Sequence, residues 1–317
     1  MKHKKIKILV SASPFCENKQ TPLKLLNNNN ISFDLNTKGR KFTEKEIASL
    51  IKSYDGLIAD VEPLNKKVLS KAKNLKIISR VGIGVSNIDL IYAQKKGIMV
   101  TNTPDAPTPA VVELNLGLIF TLIRNISIHN NKIKKGFWNR TIGLRIPFLK
   151  IGILGLGRIG KGLAGKLLKI GSKKIFYNDL TKKKINKNII FKSKNFIYKN
   201  CDVIIISLPE NSKTKKILNK KVFKKMRKRS FLINTSRGEI IDEKDLYDFL
   251  KKGYFLGVAL DVFNKEPYRG NLTRFERCIL TPHIGSHTID CRNKMELEAT
   301  IDLVNFFKKK PVVNKVK

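Results

Sequence analysis

Short apolar runs separated by amphipathic stretches set the rhythm of the chain. Runs at residues 6–10, 31–35, 56–59, 77–79 and 98–101 have the length of buried strands. Between them, residues 44–53 and 66–72 space their apolar positions as helices do, the second after the turn-like Glu62-Pro63-Leu64-Asn65. The rhythm returns at 151–154, 175–178, 203–207, 231–234, 257–260 and 279–280, and 288–307 reads as a closing helix. Strands alternating with helices predict parallel sheets covered on both faces.

Two stretches interrupt this alternation. Residues 103–109 carry Pro104, Pro107 and Pro109 and read as a hinge or linker, because proline suits neither a helix interior nor a central strand. From 111 to 134 the apolar positions Val112, Leu114, Leu116, Leu118, Ile119, Leu122, Ile123 and Ile126 spread around much of one long helix. Such a helix is expected to be buried between domains or against a second subunit.

Composition narrows the class. At 317 residues and 42% apolar content, the chain can bury a large core and is long enough for two domains. No run approaches the roughly 18 apolar residues of a membrane span, and the apolar segment at 6–10 is too short for a signal peptide. A cytoplasmic location without a membrane partner is expected. Cys16, Cys201, Cys278 and Cys291 are scattered, which suits reduced thiols rather than a disulfide framework. The net charge of +39 would draw nucleic acid or concentrate small anionic substrates. The basic residues are dispersed, without interleaved stacking aromatics, so a solvated surface is the better reading and nucleic acid is not expected as a partner.

Chemistry concentrates after residue 150. Gly155-Leu156-Gly157-Arg158-Ile159-Gly160 has the G-x-G-x-x-G spacing, follows an apolar strand and opens a helix. Glycines there permit a tight turn and close approach of a pyrophosphate, and the helix N-terminus supplies N–H donors. Asp179 follows the next strand about 20 residues on, where a carboxylate accepts hydrogen bonds from a ribose. This acid favours NAD over NADP, although residues 182–184, all lysine, weaken the preference. Arg237 in N-T-S-R-G, Glu266 in L-D-V-F-N-K-E-P and His283 in T-P-H-I-G-S follow three further strands. Arginine offers a fork for a carboxylate, histidine an acid or base near neutral pH, and glutamate a partner for the imidazolium.

With these motifs, and with Arg80-Val81-Gly82-Ile83-Gly84-Val85-Ser86-Asn87-Ile88-Asp89 ahead of them, the chain resembles the D-isomer-specific 2-hydroxyacid dehydrogenases, phosphoglycerate dehydrogenase-like branch. The resemblance implies an α/β fold of two Rossmann-like doubly wound parallel-sheet domains with a cleft between them. It implies a discontinuous substrate domain, residues 1–102 plus 287–317, and an NAD-binding domain at 103–286. It makes Arg237, Glu266 and His283 catalytic. Gly155, Gly157, Arg158, Ile159, Gly160, Asp179, Leu208, Thr235, Asp261 and Gly285 would line the NAD. Backbone from Val81 through Gly82 and Ile83 to Gly84 would hold the substrate carboxylate, with Arg80 as a further anion contact. The implied substrate is a small anionic 2-oxo or 2-hydroxy acid, 3-phosphoglycerate among the candidates, and the implied assembly is a homodimer through the helix at 111–134. A non-catalytic NAD-sensing protein on the same fold is the alternative function.

The sequence departs from the family pattern in places. Ser86 stands where aspartate is common, and residues 145–150 lack the usual Gly-Lys turn before the first cofactor strand. Neither an appended regulatory domain nor feedback through one is expected. Cys278, His283, His287 and Cys291 could be spaced for zinc, but Pro282 and Gly285-Ser286 interrupt the set, and no metal is expected. His129 reads as a solvated helix residue, and His3 sits in a basic tail.

Overall fold

A computed structural model describes residues 5–316. They form two compact units, one from the residues up to Pro107 together with those from Ser286 onward, the other Thr108–Gly285. His3 lies outside the described residues.

In the first unit β1 (Lys7–Val10), β2 (Ser32–Leu35), β3 (Gly56–Ala59), β4 (Ile77–Arg80) and β5 (Met99–Thr101) form one sheet in the order β2-β1-β3-β4-β5. Every pairing is parallel. The strands β3 and β4 are buried at every position; β3 accordingly reads as an unbroken apolar run, whereas β4 buries Ser79 and Arg80 after its two isoleucines. Leu9, Leu57 and Ile78 pack with Ile47, Ile51, Leu64 and Leu69 on one face. The helix Ile289–Phe307 returns to the sheet, and the Ser79 hydroxyl donates to the Ala299 carbonyl at 2.7 Å. The expected helix at 44–53 runs as Glu44–Leu50 with a 3₁₀ turn at Ile51–Ser53, started by a capping box between Thr43 and Glu46. A helix at Thr21–Asn27, with Pro22 in its first turn, is absent from the sequence reading.

In the second unit β6 (Ile151–Leu154), β7 (Ile175–Asn178), β8 (Ile189–Phe191), β9 (Val203–Ile206), β10 (Phe231–Asn234), β11 (Gly257–Leu260) and β12 (Cys278–Leu280) form a parallel sheet in the order β12-β11-β10-β9-β6-β7-β8. The chain reverses its direction of growth between β6 and β9, and a doubly wound sheet binds ligands at such a switch point. Alternate residues feed two cores. Ile151, Ile153, Tyr177, Val203 and Ile205 face one, and Leu154, Ile204, Ile206, Leu232 and Leu260 face the other.

The proline-rich stretch and the helix after it differ from expectation. A helix begins at Pro107, so Pro107 and Pro109 occupy its first turn, where a missing N–H breaks no helical hydrogen bond. It ends at Ile123, and a second helix, Ile126–Lys134, leaves it at 61°. Asn125 makes the corner with a left-handed φ of 53°. The first helix buries Val112, Leu118, Ile119, Leu122 and Ile123 in the core of its own unit. Where the Gly-Lys turn was missing, Ile146–Phe148 forms a 3₁₀ turn that leads into β6. Among the described residues, no single helix is long and apolar enough to cross a membrane.

Candidate active site

The G-x-G-x-x-G loop joins β6 to the helix Arg158–Lys169. Gly155 has φ +93°, and a Cβ there would overlap the Ser207 carbonyl; one at Gly160 would overlap the Gly155 carbonyl. Any larger residue at either position would push the helix off the sheet. Gly157, the N-cap, has open space above its α-carbon, and no side chain caps the helix. Uncapped N–H donors beneath open space fit a pyrophosphate. Leu208 borders the same loop, 3.2 Å from where a Gly155 Cβ would stand.

Asp179 follows β7 directly and pins the loop. Its Oδ2 accepts from the Leu156 N–H at 2.8 Å and its Oδ1 from the Leu180 N–H at 2.7 Å. Burial works against its charge, but Lys183 and these N–H groups outweigh it and hold the carboxyl below the usual range.

Arg237, Glu266 and His283 lie beyond the carboxyl ends of β10, β11 and β12, three adjacent parallel strands. His283 Nδ1 is 2.9 Å from Glu266 Oε2, and the Phe263 N–H donates to the other Glu266 oxygen at 3.1 Å. Holding Nδ1 on a carboxylate leaves Nε2 as the nitrogen for exchange with a substrate. His283 sits at φ +56°, in the left-handed region that is uncommon for residues other than glycine. Asp261 compensates: its Oδ1 accepts from the Thr281 hydroxyl at 2.6 Å and the Ile284 N–H at 2.8 Å, and its Oδ2 from the Gly285 N–H at 2.9 Å. The loop bearing His283 is thus wrapped around this buried carboxylate, whose burial pushes its pKa up.

Arg237 is half-buried and donates to the Ser236 carbonyl at 2.6 Å. Desolvation lowers its pKa, while the charges of Glu210 and Glu266 oppose that shift. Asn234, absent from the sequence-derived set, knits its turn: it accepts from the Ser236 N–H at 3.0 Å and hydroxyl at 2.8 Å and donates to the Arg237 carbonyl at 2.8 Å. Only a glycine fits at 238, since a Cβ would overlap the Phe263 backbone. That close approach seats the arginine turn against the segment carrying Glu266. Thr235 is nearly buried, and its hydroxyl accepts from Asn115 Nδ2 at 2.7 Å. Asn115, on the helix Pro107–Ile123, was not singled out in the sequence.

In the first unit, the Val81 N–H donates to the Ala59 carbonyl at 2.9 Å and the Gly82 N–H to Thr103 Oγ1 at 2.8 Å. The Ile83 carbonyl accepts from Asn102 at 2.7 Å. Arg80 is 7% exposed, and its guanidinium donates to the Val81 carbonyl and lies 3.4 Å from Asp60. Its side chain therefore braces its own loop. Among the described residues, no group of three or more His, Cys, Asp and Glu side chains is placed to hold a metal ion.

The family model described as D-isomer specific 2-hydroxyacid dehydrogenase, NAD binding domain, matches residues 116–285. A glyoxylate reductase of Thermofilum pendens is 35% identical over 279 residues, covering 84% of this chain and 82% of that one. A D-3-phosphoglycerate dehydrogenase of Methanocaldococcus jannaschii is 35% identical over 253 residues, covering 78% of this chain but 48% of that one. Among solved structures, the TT0316 protein of Thermus thermophilus is similar at a TM-score of 0.91 with 28% identity, covering 98% of this chain and 100% of that one.

Proposed function

Since the chain belongs to the D-isomer-specific 2-hydroxyacid dehydrogenase family, we propose that it catalyses reduction of a small 2-oxo acid to the D-2-hydroxy acid with NADH, and the reverse oxidation. The observation that carries this reading is the His283–Glu266 pair at 2.9 Å, beyond β12 and β11, the two strands next in sheet order after β10, which ends before Arg237. The His283–Glu266 contact, with Arg237 beyond the neighbouring β10, supplies the groups a proton and hydride exchange needs, which favours turnover over the sensing alternative.

Residues 155–160 and Asp179 would hold the dinucleotide, and the chemistry it supplies when bound is hydride donation to the carbonyl carbon. Arg237 orients the substrate through its carboxylate and stabilises charge developing on the carbonyl oxygen. His283, oriented through Nδ1 by Glu266, delivers its Nε2 proton to that oxygen. With the Val81 and Gly82 N–H groups already engaged, backbone recognition of the substrate carboxylate narrows to Ile83 and Gly84. Arg80, buried beside Asp60, is not presented for a phosphorylated tail, which favours a short uncharged tail as in glyoxylate or hydroxypyruvate.

Rates of NADH oxidation with glyoxylate, hydroxypyruvate and 3-phosphohydroxypyruvate test this directly. Higher kcat/KM for the first two supports it; turnover confined to the phosphorylated acid overturns the substrate assignment, and none with any 2-oxo acid overturns the reaction. We assign a second copy of the chain to the face at 126–148, where Ile126, Ile133, Phe137, Trp138, Ile142 and Phe148 are all more than half exposed. Light scattering checks this, and a monomer would refute it.

A further inference from the structure

The carboxylate placed to read the cofactor's ribose carries a resident cation. Lys183, four residues beyond Asp179, sets its Nζ 2.7 Å from Asp179 Oδ2 and 2.6 Å from the Leu156 carbonyl of the glycine loop. Its backbone is anchored from the core: the Lys183 N–H donates at 2.9 Å to the hydroxyl of Tyr177, which is 1% exposed. The ammonium is therefore placed from two directions, while a third of the side chain stays open to solvent.

Counting acceptors defines what is left for a ligand. Asp179 Oδ2 already takes the Leu156 N–H and Lys183, and Oδ1 takes the Leu180 N–H. A carboxylate has about four lone-pair sites, so roughly one remains, and it cannot grip both ribose hydroxyls in full. The ammonium has used two of its three donors and keeps one.

We propose that Lys183 is a specificity-determining residue of the cofactor site, admitting dinucleotides that bear a 2′-phosphate alongside NAD(H). A lone acid at this strand end selects NAD because it repels the 2′-phosphate. An ammonium on that acid cancels its charge and supplies a donor to phosphate oxygens. The inference rests on the reading of residues 155–160 as the dinucleotide loop.

The test is equilibrium binding of NADH and NADPH to the full chain, followed by nicotinamide fluorescence without substrate. In the wild type the two dissociation constants should lie within about tenfold of each other. Lys183→Met should weaken NADPH by about 10- to 100-fold, the range for losing a charge-assisted contact, and change NADH by less than about threefold. Lys183→Arg should restore NADPH binding, and Lys182→Met and Lys184→Met should leave the ratio near wild type. Equal weakening of both dinucleotides by Lys183→Met would mean that the lysine only braces the loop, and overturns the proposal. So would a comparable shift in the two control variants, or a wild type that already rejects NADPH by more than about 100-fold. Failure of the wild type to bind either dinucleotide overturns the loop reading itself, and the proposal with it. Thermal melts confirm that each variant is folded.

Discussion

At the scale of single residues, the site depends on side chains that hold other side chains. His283→Ala should lower kcat by about 10²- to 10⁴-fold, the usual cost of losing general acid catalysis, with NADH affinity nearly unchanged. A variant with near-full activity would remove His283 from the chemistry. Asp261→Asn probes the support beneath it: the amide can still accept from Thr281 or Ile284 but sets an NH₂ against the Gly285 N–H. Losing such bonds to a charged acceptor costs about 1–3 kcal/mol, so kcat should fall by about tenfold or more with a matching loss in Tm. Unchanged kcat would show that the loop holds its strained conformation unaided. The trio itself was legible in the sequence, because strand-end motifs announce themselves through their spacing. The hold of Asp261 on the His283 loop was not, and it adds to the expected place of Asp261 along the cofactor. Its partners are 20 to 24 residues away, and only the pairing of β11 with β12 brings them to it.

At the scale of elements, periodicity placed nearly every strand and failed where one residue's backbone decides. The apolar spacing from 111 to 134 continues smoothly across Asn125, so nothing in the pattern marks the 61° corner. Asparagine tolerates the left-handed region better than most residues, and glycine better still. Asn125→Gly should therefore leave stability nearly unchanged, whereas Asn125→Val should cost about 1–2 kcal/mol in chemical denaturation. Equal stability of the two variants would mean that φ at this position carries no strain. The prolines misled in the opposite sense. Proline forbids a helix interior but suits a first turn, and the chain alone does not say which of the two follows Pro104. The strand β8 and the helix Thr21–Asn27 escaped because each is short and largely polar or flanked by lysine and asparagine.

At the scale of the whole molecule, two electrostatic effects run in opposite directions with pH. The excess of 64 basic over 25 acidic residues makes self-repulsion grow as carboxylates protonate, so acid should destabilise the chain overall. Glu62 acts in reverse. It is fully buried at the ends of β1 and β3, where the Ser11 hydroxyl and the Asp60 N–H donate to it. Burial raises its pKa above 4.5, with Asp60 adding to the shift and Ser11 and Arg80 opposing it. Between 4.5 and the raised value, the folded chain binds more protons at this site than the unfolded chain does. The stability this carboxyl contributes is therefore complete below 4.5 and is lost as pH rises through the folded pKa, at up to about 1.4 kcal/mol per pH unit. Glu62→Gln cannot titrate, and it shares every other charge with the wild type. The difference in unfolding free energy, wild type minus variant, isolates the site from the general self-repulsion. That difference should become steadily less favourable to the wild type as pH rises from 4.5, measured by urea denaturation across the range. A difference that stays flat, or that grows in favour of the wild type, would show that Glu62 is ionised in the fold at no cost and that Arg80 outweighs its burial.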